Sequence, residues 1–338
     1  MEFEICNFQF KIVLFSFRLR HSVPSPLTPD PWSLTMHPSA LIPPLCALLF
    51  SPLLLGIINR TKATAAGRKG QPLAQLYYDL WKLLHKGAVY SRTTSWVFRA
   101  GPMASLAAVL VASTIVPFGA QAAPLSFSGD LVLFAYFLGL MRFFTIIAAL
   151  DTGSAFEGMG ASREVQFSAL AEPALLLGLA AIARETHNLS LSAMFAAITV
   201  GTWTMAAPVL GLVAAMLMVV FLAENSRIPV DDPNTHLELT MIHEVMVLDH
   251  SGPDFAFILY GAAIKLWVLG ALLVGILMPI RIGNIWLDVG ASFGGMMVLS
   301  VFVGIVESSM ARLRLLRVPE LLVSAGAFSV LALLLVLR

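Results

Sequence analysis

The stretch MAAPVLGLVAAMLMVVFLA at 205–223, followed directly by the charged run ENSRIPVDDP at 224–233, decides the fold class of this chain. Nineteen residues without a charge are almost enough for a helix to cross about 30 Å of hydrocarbon. Of the 338 residues, 58% are hydrophobic and 12% are charged, and that charged fraction is about half of what soluble domains carry. The sequence therefore excludes a water-soluble globule and predicts an all-α, polytopic membrane protein.

Eight apolar stretches predict eight transmembrane helices. They lie at 39–58, 102–121, 129–150, 167–183, 205–223, 257–279, 285–306 and 319–337. The stretch 191–204 is apolar but too short to span the bilayer before Pro208, so we expect a re-entrant or interfacial segment there. Residues 1–35 combine a short apolar run with four prolines and have no small-residue cleavage site after them, which favours an N-terminal extension over a secretory signal. The membrane domain is predicted to cover 36–338.

Basic residues are distributed unevenly between the predicted loops. Thirteen Lys and Arg residues fall on one side of the predicted topology, whereas the other side has Arg184 and Arg281. Because short cytoplasmic loops carry an excess of basic residues, the richer side is predicted to be cytoplasmic and both termini to face outward. The expected location is the inner, cytoplasmic membrane.

Two of the loops on the basic side have the pattern of helices. In 71–86, leucines recur at helical spacing and polar residues lie between them, which predicts an amphipathic helix on the membrane or under a partner. In the second loop, Asp232 can cap a helix and Pro233 suits its first position. A helix rich in acids is predicted from there to about Asp249.

Charged residues occur inside or at the ends of the predicted spans, where they are costly and usually functional. They are Arg142, Glu172, Glu224, Lys265 and Glu307, with Arg163 and Glu164 just before the fourth span. Because a carboxylate in a poorly solvated interior can exchange protons near neutrality, these residues predict a proton or ion path. Glu172 is expected to be the deepest acid. In the alternative interpretation, Arg142 and Lys265 only neutralise neighbouring acids or snorkel, while the acids at the span ends are simply solvated.

Other kinds of chemistry lack support in the sequence. A metal site is suggested by His236, His243, Glu244 and His250, but the spacing of metal-binding helices is absent, so a polar helix facing a partner is favoured. Cys6 and Cys46 have no CxxC or Cys/His pattern for a disulfide framework, zinc site or iron–sulfur cluster. The net charge of +1 argues against nucleic-acid binding. No metal site and no catalytic residue are predicted in this chain.

Three segments resemble a known family. DTGSAFEGMGASRE at 151–164 with EPALLLGL at 172–179, AENSRIPVDDP at 223–233 and ESSMARLRL at 307–315 are similar to the complex I subunit 1, or H subunit, family. The branch that they resemble most is the membrane subunit of group 4 NiFe hydrogenases, such as hydrogenase-4 component C and formate hydrogenlyase subunit 4. The resemblance runs from about Met36 to the C-terminus. It implies eight spans that form the heel of a membrane arm, where a soluble redox arm docks.

The resemblance also implies roles for individual residues. Contacts with the redox arm would come from a first-loop group consisting of Gly67, Arg68, Gly70, Asp79 and Lys82. The proton relay would comprise acids and their arginine partners, namely Glu164, Glu172, Glu224, Asp231, Glu238, Arg163 and Arg227. The spacing from Arg163 to Glu172 matches the family's Arg-to-Glu pattern, and Pro229 belongs to the matched loop.

The implied function is that of a membrane-anchoring, ion-coupling and itself non-catalytic subunit of a complex I-like oxidoreductase. The DTGS segment at 151–154 and the ESSMARLRL segment at 307–315 favour a hydrogenase-4 or formate hydrogenlyase type assembly. The chain also departs from the complex I pattern at Asn234 and His236, which argues against quinone binding. Nickel–iron and iron–sulfur centres are expected in peripheral-arm partners, and antiporter-like subunits in the surrounding bilayer. Two alternatives stay open: a quinone-reducing H subunit of the NADH dehydrogenase type, and a self-contained secondary transporter, although no internal symmetry is visible.

Overall fold

The computed structural model describes residues 38–231 and 241–338, and these residues form α-helices, short 3-10 helices and connecting loops. The α-helices are α1 (Ile42–Ala65), α2 (Gln75–Leu84), α3 (Trp96–Ser113), α4 (Asp130–Asp151), α5 (Ala155–Thr186), α6 (Leu191–Ala197), α7 (Val200–Glu224), α8 (Gly252–Leu277), α9 (Ile285–Ser309) and α10 (Val318–Leu337). Within this part of the chain, all of them except α2 and α6 are long and apolar enough to cross a membrane, which makes eight. The prediction of an all-α, multi-pass membrane protein is confirmed.

Two helices begin well before the predicted boundaries. The second span starts at Trp96, because the Ser95 side chain accepts a hydrogen bond from the Val97 amide and caps the helix. The fourth span starts at Ala155, twelve residues earlier than predicted, because polar turns continue the helix beyond its apolar part. Hydropathy alone cannot detect such turns, so it placed both starts too late.

The prediction for 191–204 was wrong for its second half, whereas a re-entrant or interfacial position of its first half stays a prediction. Residues Leu191–Ala197 form the short helix α6, and the Asp130 carboxylate accepts a hydrogen bond from the Leu191 amide at 2.7 Å. The following residues belong to the fifth span instead, because Thr199 and Thr202 form a capping box that starts α7 at Val200.

The two loops with helical patterns have different outcomes. The amphipathic helix predicted within 71–86 is present as α2. The acidic helix predicted from Pro233 to Asp249 was wrong for 241–249, where the structure has one 3-10 turn at Glu244–Val247. The remainder of that prediction lies at 232–240, outside the described residues, as does the predicted extension 1–35.

Helix α8 lies at the centre of the bundle. Two-thirds (67%) of its most apolar stretch is buried, and it packs against α1, α2, α3, α7 and α9. It also compensates for a proline in α1. Pro52 has no N–H to bond the carbonyl of Leu48, and the Tyr260 hydroxyl of α8 donates to that carbonyl at 2.9 Å. Tyr77 of α2 donates to the next carbonyl of α1, so both helices are attached at the proline.

Candidate functional site

Arg142 lies near the middle of α4 and forms ion pairs with three carboxylates. Its Nε is 3.2 Å from Oε1 of Glu164, its Nη2 is 2.5 Å from Oε1 of Glu224, and its Nη1 contacts Glu172. Only 8% of the arginine side chain is exposed. An uncompensated charge at such a position would cost several kcal/mol, so the three acids are what make Arg142 tolerable there.

A second cation completes this buried group. Lys265 of α8 places its Nζ 3.6 Å from Oε2 of Glu224. Four helices, α4, α5, α7 and α8, thus contribute one group of charges in the bundle interior, which we call the Arg142 cluster and which consists of Arg142, Glu164, Glu172, Glu224 and Lys265. Two roles were considered for Arg142 and Lys265: neutralising nearby acids, and forming part of an ion path. Both roles require these contacts, so the observed pairs are consistent with either role.

Three loop residues extend this cluster towards one end of the bundle. The imidazole of His243 has its Nε2 3.1 Å from Oε2 of Glu164 and its Nδ1 3.3 Å from Oδ2 of Asp231. The other oxygen of Asp231 pairs with Arg312 Nη2 at 2.8 Å. We call His243, Asp231 and Arg312 the loop bridge. Ion pairs therefore run without a break from the loops to the middle of α4.

Two residues of the loop bridge, His243 and Asp231, have shifted pKa values. Burial alone would lower the pKa of His243, but the carboxylates of Glu164 and Asp231 outweigh it and raise that pKa to about 9. Burial would raise the pKa of Asp231, and its hydrogen bond to His243 and the charges of His243 and Arg312 lower it instead. His243 is therefore an imidazolium at neutral pH, and Asp231 is a carboxylate.

A second buried group of ions lies beside Glu307. Lys62 Nζ is 2.9 Å from Oε2 of Glu307, and Arg227 Nη1 is 3.3 Å from Oε1. The Glu307 side chain is completely enclosed. This group joins the ends of α1 and α9 to the loop after α7, so simple solvation at an interface, the alternative considered for Glu307, is wrong.

The structure changes the predicted ranking of the acids. Glu172 was expected to be the deepest acid, yet 46% of its side chain is exposed, whereas that of Glu164 and of Glu224 is 7% exposed. Arg142 pairs with Glu172, and Arg163 donates from its Nη1 to the Met241 carbonyl at 2.8 Å. The Glu172 carboxylate also lies close to α4, since a Cβ on Gly139 would be 3.3 Å from its Oε1.

The residues expected to dock the redox arm lie apart from the Arg142 cluster. Arg68, Gly70 and Lys82 are exposed on the loop after α1 and on α2. Asp79 is half-buried, and its Oδ1 accepts a hydrogen bond from Gln75 Nε2 at 2.9 Å. Glu238, the remaining relay candidate, lies outside the described residues.

Sequence analysis missed the position of two histidines. Both were assigned to a helix facing a partner, but His243 lies between two acids and His250 stacks on Phe98 with 4.0 Å between the ring centroids. Burial lowers the pKa of His250 to about 4, so it is neutral. An excess of acids in the predicted cluster could have indicated a buried cation from the loop.

Within 38–231 and 241–338, no group of three or more His, Cys, Asp or Glu residues is arranged to hold a metal ion.

In the part of the chain that the structure describes, eight helices suited to cross a membrane and a continuous chain of buried ion pairs define a polytopic membrane protein with a charged interior. The model of the NADH dehydrogenase family matches residues 40–337, so the chain belongs to this family. The family resemblance expected from the sequence is thereby confirmed.

Individual relatives narrow this picture. The chain is 30% identical to formate hydrogenlyase subunit 4 of Escherichia coli (strain K12), over 86% of this chain and 96% of the relative. It is also 30% identical to hydrogenase-4 component C of the same organism, over 71% of this chain and 75% of the relative. A chain of the membrane-bound sulfane sulfur reductase, an archaeal respiratory membrane complex, has the same fold, with a TM-score of 0.73 at 18% identity, covering 88% of this chain and 98% of that one. The protein is a membrane subunit of a complex I-like or hydrogenase complex.

Proposed function

We propose that this chain is the membrane-anchoring and ion-coupling subunit of a hydrogenase-4 or formate hydrogenlyase type complex. It would dock a peripheral redox arm and relay protons through the Arg142 cluster. The observation that carries the proposal is the unbroken chain of ion pairs from Arg312 to Glu172. The two relatives in hydrogenase and formate hydrogenlyase complexes support the choice of branch.

The chemistry of the cluster suits a relay. An arginine does not release its proton in proteins, so the carboxylates are the groups that can take one up. Because Arg142 contacts Glu164, Glu172 and Glu224 at once, protonation of one acid leaves the arginine paired with the other two. A charge change near the loops can therefore redistribute protons without leaving Arg142 unpaired.

The exposed groups suit partner subunits. Glu172 turns nearly half of its side chain outward from the middle of a span, where an antiporter-like membrane subunit could cover it and accept the proton. The exposed loop residues Arg68, Gly70 and Lys82 would meet the peripheral arm. Nickel–iron and iron–sulfur centres would then belong to that arm, and this chain would carry no redox cofactor.

Neutral variants of the cluster acids test the proton relay. Glu172→Gln and Glu224→Gln keep the size of the side chain and remove its titration, so the complex should assemble and transfer electrons while proton uptake into vesicles is lost. Glu320→Gln, at an exposed acid outside the cluster, is the matched control and should behave like the wild type. Coupled proton uptake that is unchanged in both cluster variants would limit these acids to a structural role.

The match to the NADH dehydrogenase family supports a second candidate, a quinone-reducing complex. The two candidates differ in a direct measurement. Extraction of the purified complex should yield no stoichiometric quinone if it is of the hydrogenase type. One quinone per complex, together with quinone-dependent turnover, would favour the second candidate.

A further inference from the structure

We infer that His243 is the proton-carrying member of the loop bridge, and that it passes the proton on its Nε2 to Oε2 of Glu164 in the Arg142 cluster. The inference deepens the proposed function, on which its physiological meaning rests. It depends on three observations: the position of the imidazole, the balance of charges around it, and the cavity at its side.

The imidazole lies between two groups that can only accept hydrogen bonds while they are ionised. Its Nε2 is 3.1 Å from Glu164 and its Nδ1 is 3.3 Å from Asp231. A neutral imidazole has one N–H and one bare nitrogen, and so it cannot donate to both carboxylates. The close approach of both carboxylates to the ring is favourable only if the ring is an imidazolium or if one of the acids carries the proton. These two protonation states differ by the movement of one proton over the 3.1 Å between Nε2 of His243 and Oε2 of Glu164.

Charges of both signs surround the ring and favour the imidazolium–carboxylate pair, so a shift in the local field is what would move the proton. On the α5 side, Glu164 faces the ring and is itself paired with Arg142, and Lys265 adds a further positive charge. On the loop side, Asp231 faces the ring and is paired with Arg312. Among the paired groups in the described ranges, the Arg142 cluster and the loop bridge together hold four acids and, with His243 charged, four cations.

A small cavity connects the ring with the second deep acid. A space of about 10 Å³ is lined by Glu164, Glu224, His243 and Ser168, together with apolar side chains. This is close to the volume that one water molecule requires. A proton delivered to Glu164 therefore has a short polar route to Glu224.

The transfer itself is balanced. The Nε2–H bond of the imidazolium breaks and an O–H bond forms on Oε2 of Glu164, so the ring becomes neutral and the acid becomes neutral. Nδ1 keeps its proton and its contact with Asp231. No electrons move in this chain, since the redox change takes place in the peripheral arm and acts here as a shift in the local field.

Arginine at this position separates a proton carrier from a structural cation. His243→Arg keeps a positive charge and donors for both Glu164 and Asp231, but an arginine does not release its proton. If His243 is only a structural cation, this variant retains proton coupling. If His243 carries the proton, electron transfer continues and coupled proton uptake in vesicles falls at least tenfold.

Infrared spectroscopy of the whole complex follows the same step without measuring transport. We expect the difference spectrum between electrode-reduced and oxidised wild-type complex to contain an imidazole ring band, identified by 15N-histidine labelling, together with the C=O stretch of a newly protonated carboxyl group. Both bands should disappear in His243→Arg, or in His243→Gln if the arginine variant does not assemble. His250→Asn, at a neutral buried histidine outside the ion pairs, should leave both bands in place.

The two experiments separate this inference from the proposed function. If the wild-type complex shows no imidazole band, or if the bands persist in both His243 variants, the inference is overturned even where proton uptake is observed. If the bands are present and depend on His243 but wild-type vesicles take up no protons, the inference stands and the proposed ion coupling fails.

Discussion

At the residue scale, the fold depends on how Arg142 is paired. A guanidinium has several N–H donors in one plane, so it can contact separate carboxylates from different helices, whereas a lysine is a point charge. Arg142 uses this geometry to join α4 to α5 and α7. The same arrangement explains how three acids from two helices are held together in an apolar bundle.

The pH dependence of stability is expected to reflect His243. Its pKa is about 9 in the folded protein, above an unfolded value near 6.5, so its stabilisation is fully present below about pH 6.5 and is lost as the pH rises through about 9. The shift corresponds to ~3 kcal/mol. We expect the thermal midpoint of the detergent-solubilised complex to fall between pH 6.5 and 9.5 in the wild type, and to fall distinctly less in His243→Arg. Parallel curves for the two proteins would contradict this assignment.

The charged residues of the Arg142 cluster could be predicted from the sequence better than the contacts between them. Arg142, Glu224 and Lys265 could be selected because charges inside apolar spans are costly and need an explanation. That His243 from a loop would lie against Glu164 could not be foreseen, since the contact joins residues far apart in the chain. The exposure of Glu172 could not be foreseen either, because α5 has no apolar stripe that would show which side faces outward.

At the scale of single elements, a close approach fixes the position of α2. A Cβ built on Gly56 of α1 would collide with the carbonyl oxygen of Leu73, in the loop that leads into α2. Only glycine leaves room for this backbone contact. Together with the Tyr77 hydroxyl bound to α1, it holds the amphipathic helix beside the bundle.

Substitution of this glycine tests how α2 is held. Gly56→Ala should displace the loop at Leu73, increase tryptic cleavage at Arg68 and Lys69, and weaken binding of the peripheral arm. Gly290→Ala in α9, where nothing lies within 4 Å of the added methyl, is the matched control and should leave both unchanged. Limited proteolysis and co-purification of the soluble subunits measure the two effects. Wild-type cleavage and binding in Gly56→Ala would show that the contact is not needed.

Helix boundaries show where element prediction reaches its limit. The apolar stretches gave the number and order of the spans because each must cover the hydrocarbon core. They placed the starts of α3 and α5 too late, since capping by Ser95 and the polar first turns of α5 carry no hydropathy signal. The kink after the start of α7, where Ala206 leaves helical geometry, likewise requires the backbone.

At the scale of the whole molecule, the alternation of eight spans places the basic loops and the loop bridge at the same end of the bundle. The loops after α1, α4, α7 and α9 follow every second span and therefore share a side. The thirteen-to-two distribution of Lys and Arg predicts that this side is cytoplasmic. The proton relay would then open towards the compartment in which a peripheral arm docks.

Cysteine labelling tests the orientation. In a chain with Cys6 and Cys46 replaced by alanine, Lys69→Cys should react with an impermeant maleimide only after the cytoplasmic side is opened, because it lies in the basic loop after α1. Ser126→Cys, between α3 and α4, should react in intact cells. Both positions are exposed in the structure, so access to the side chain does not limit labelling. The reverse pattern would invert the predicted topology.

The outward half of Glu172 also bears on the biogenesis of the protein. A newly inserted copy that has not yet met the membrane subunit proposed to cover Glu172 leaves nearly half of this side chain uncovered, with Arg142 as its pairing partner. This uncovered carboxylate distinguishes an unassembled copy from one in the complex. We expect the unassembled copy to accumulate poorly unless the neighbouring subunit is made at the same time, and the cell can in this way tie the amount of this chain to the amount of its partner.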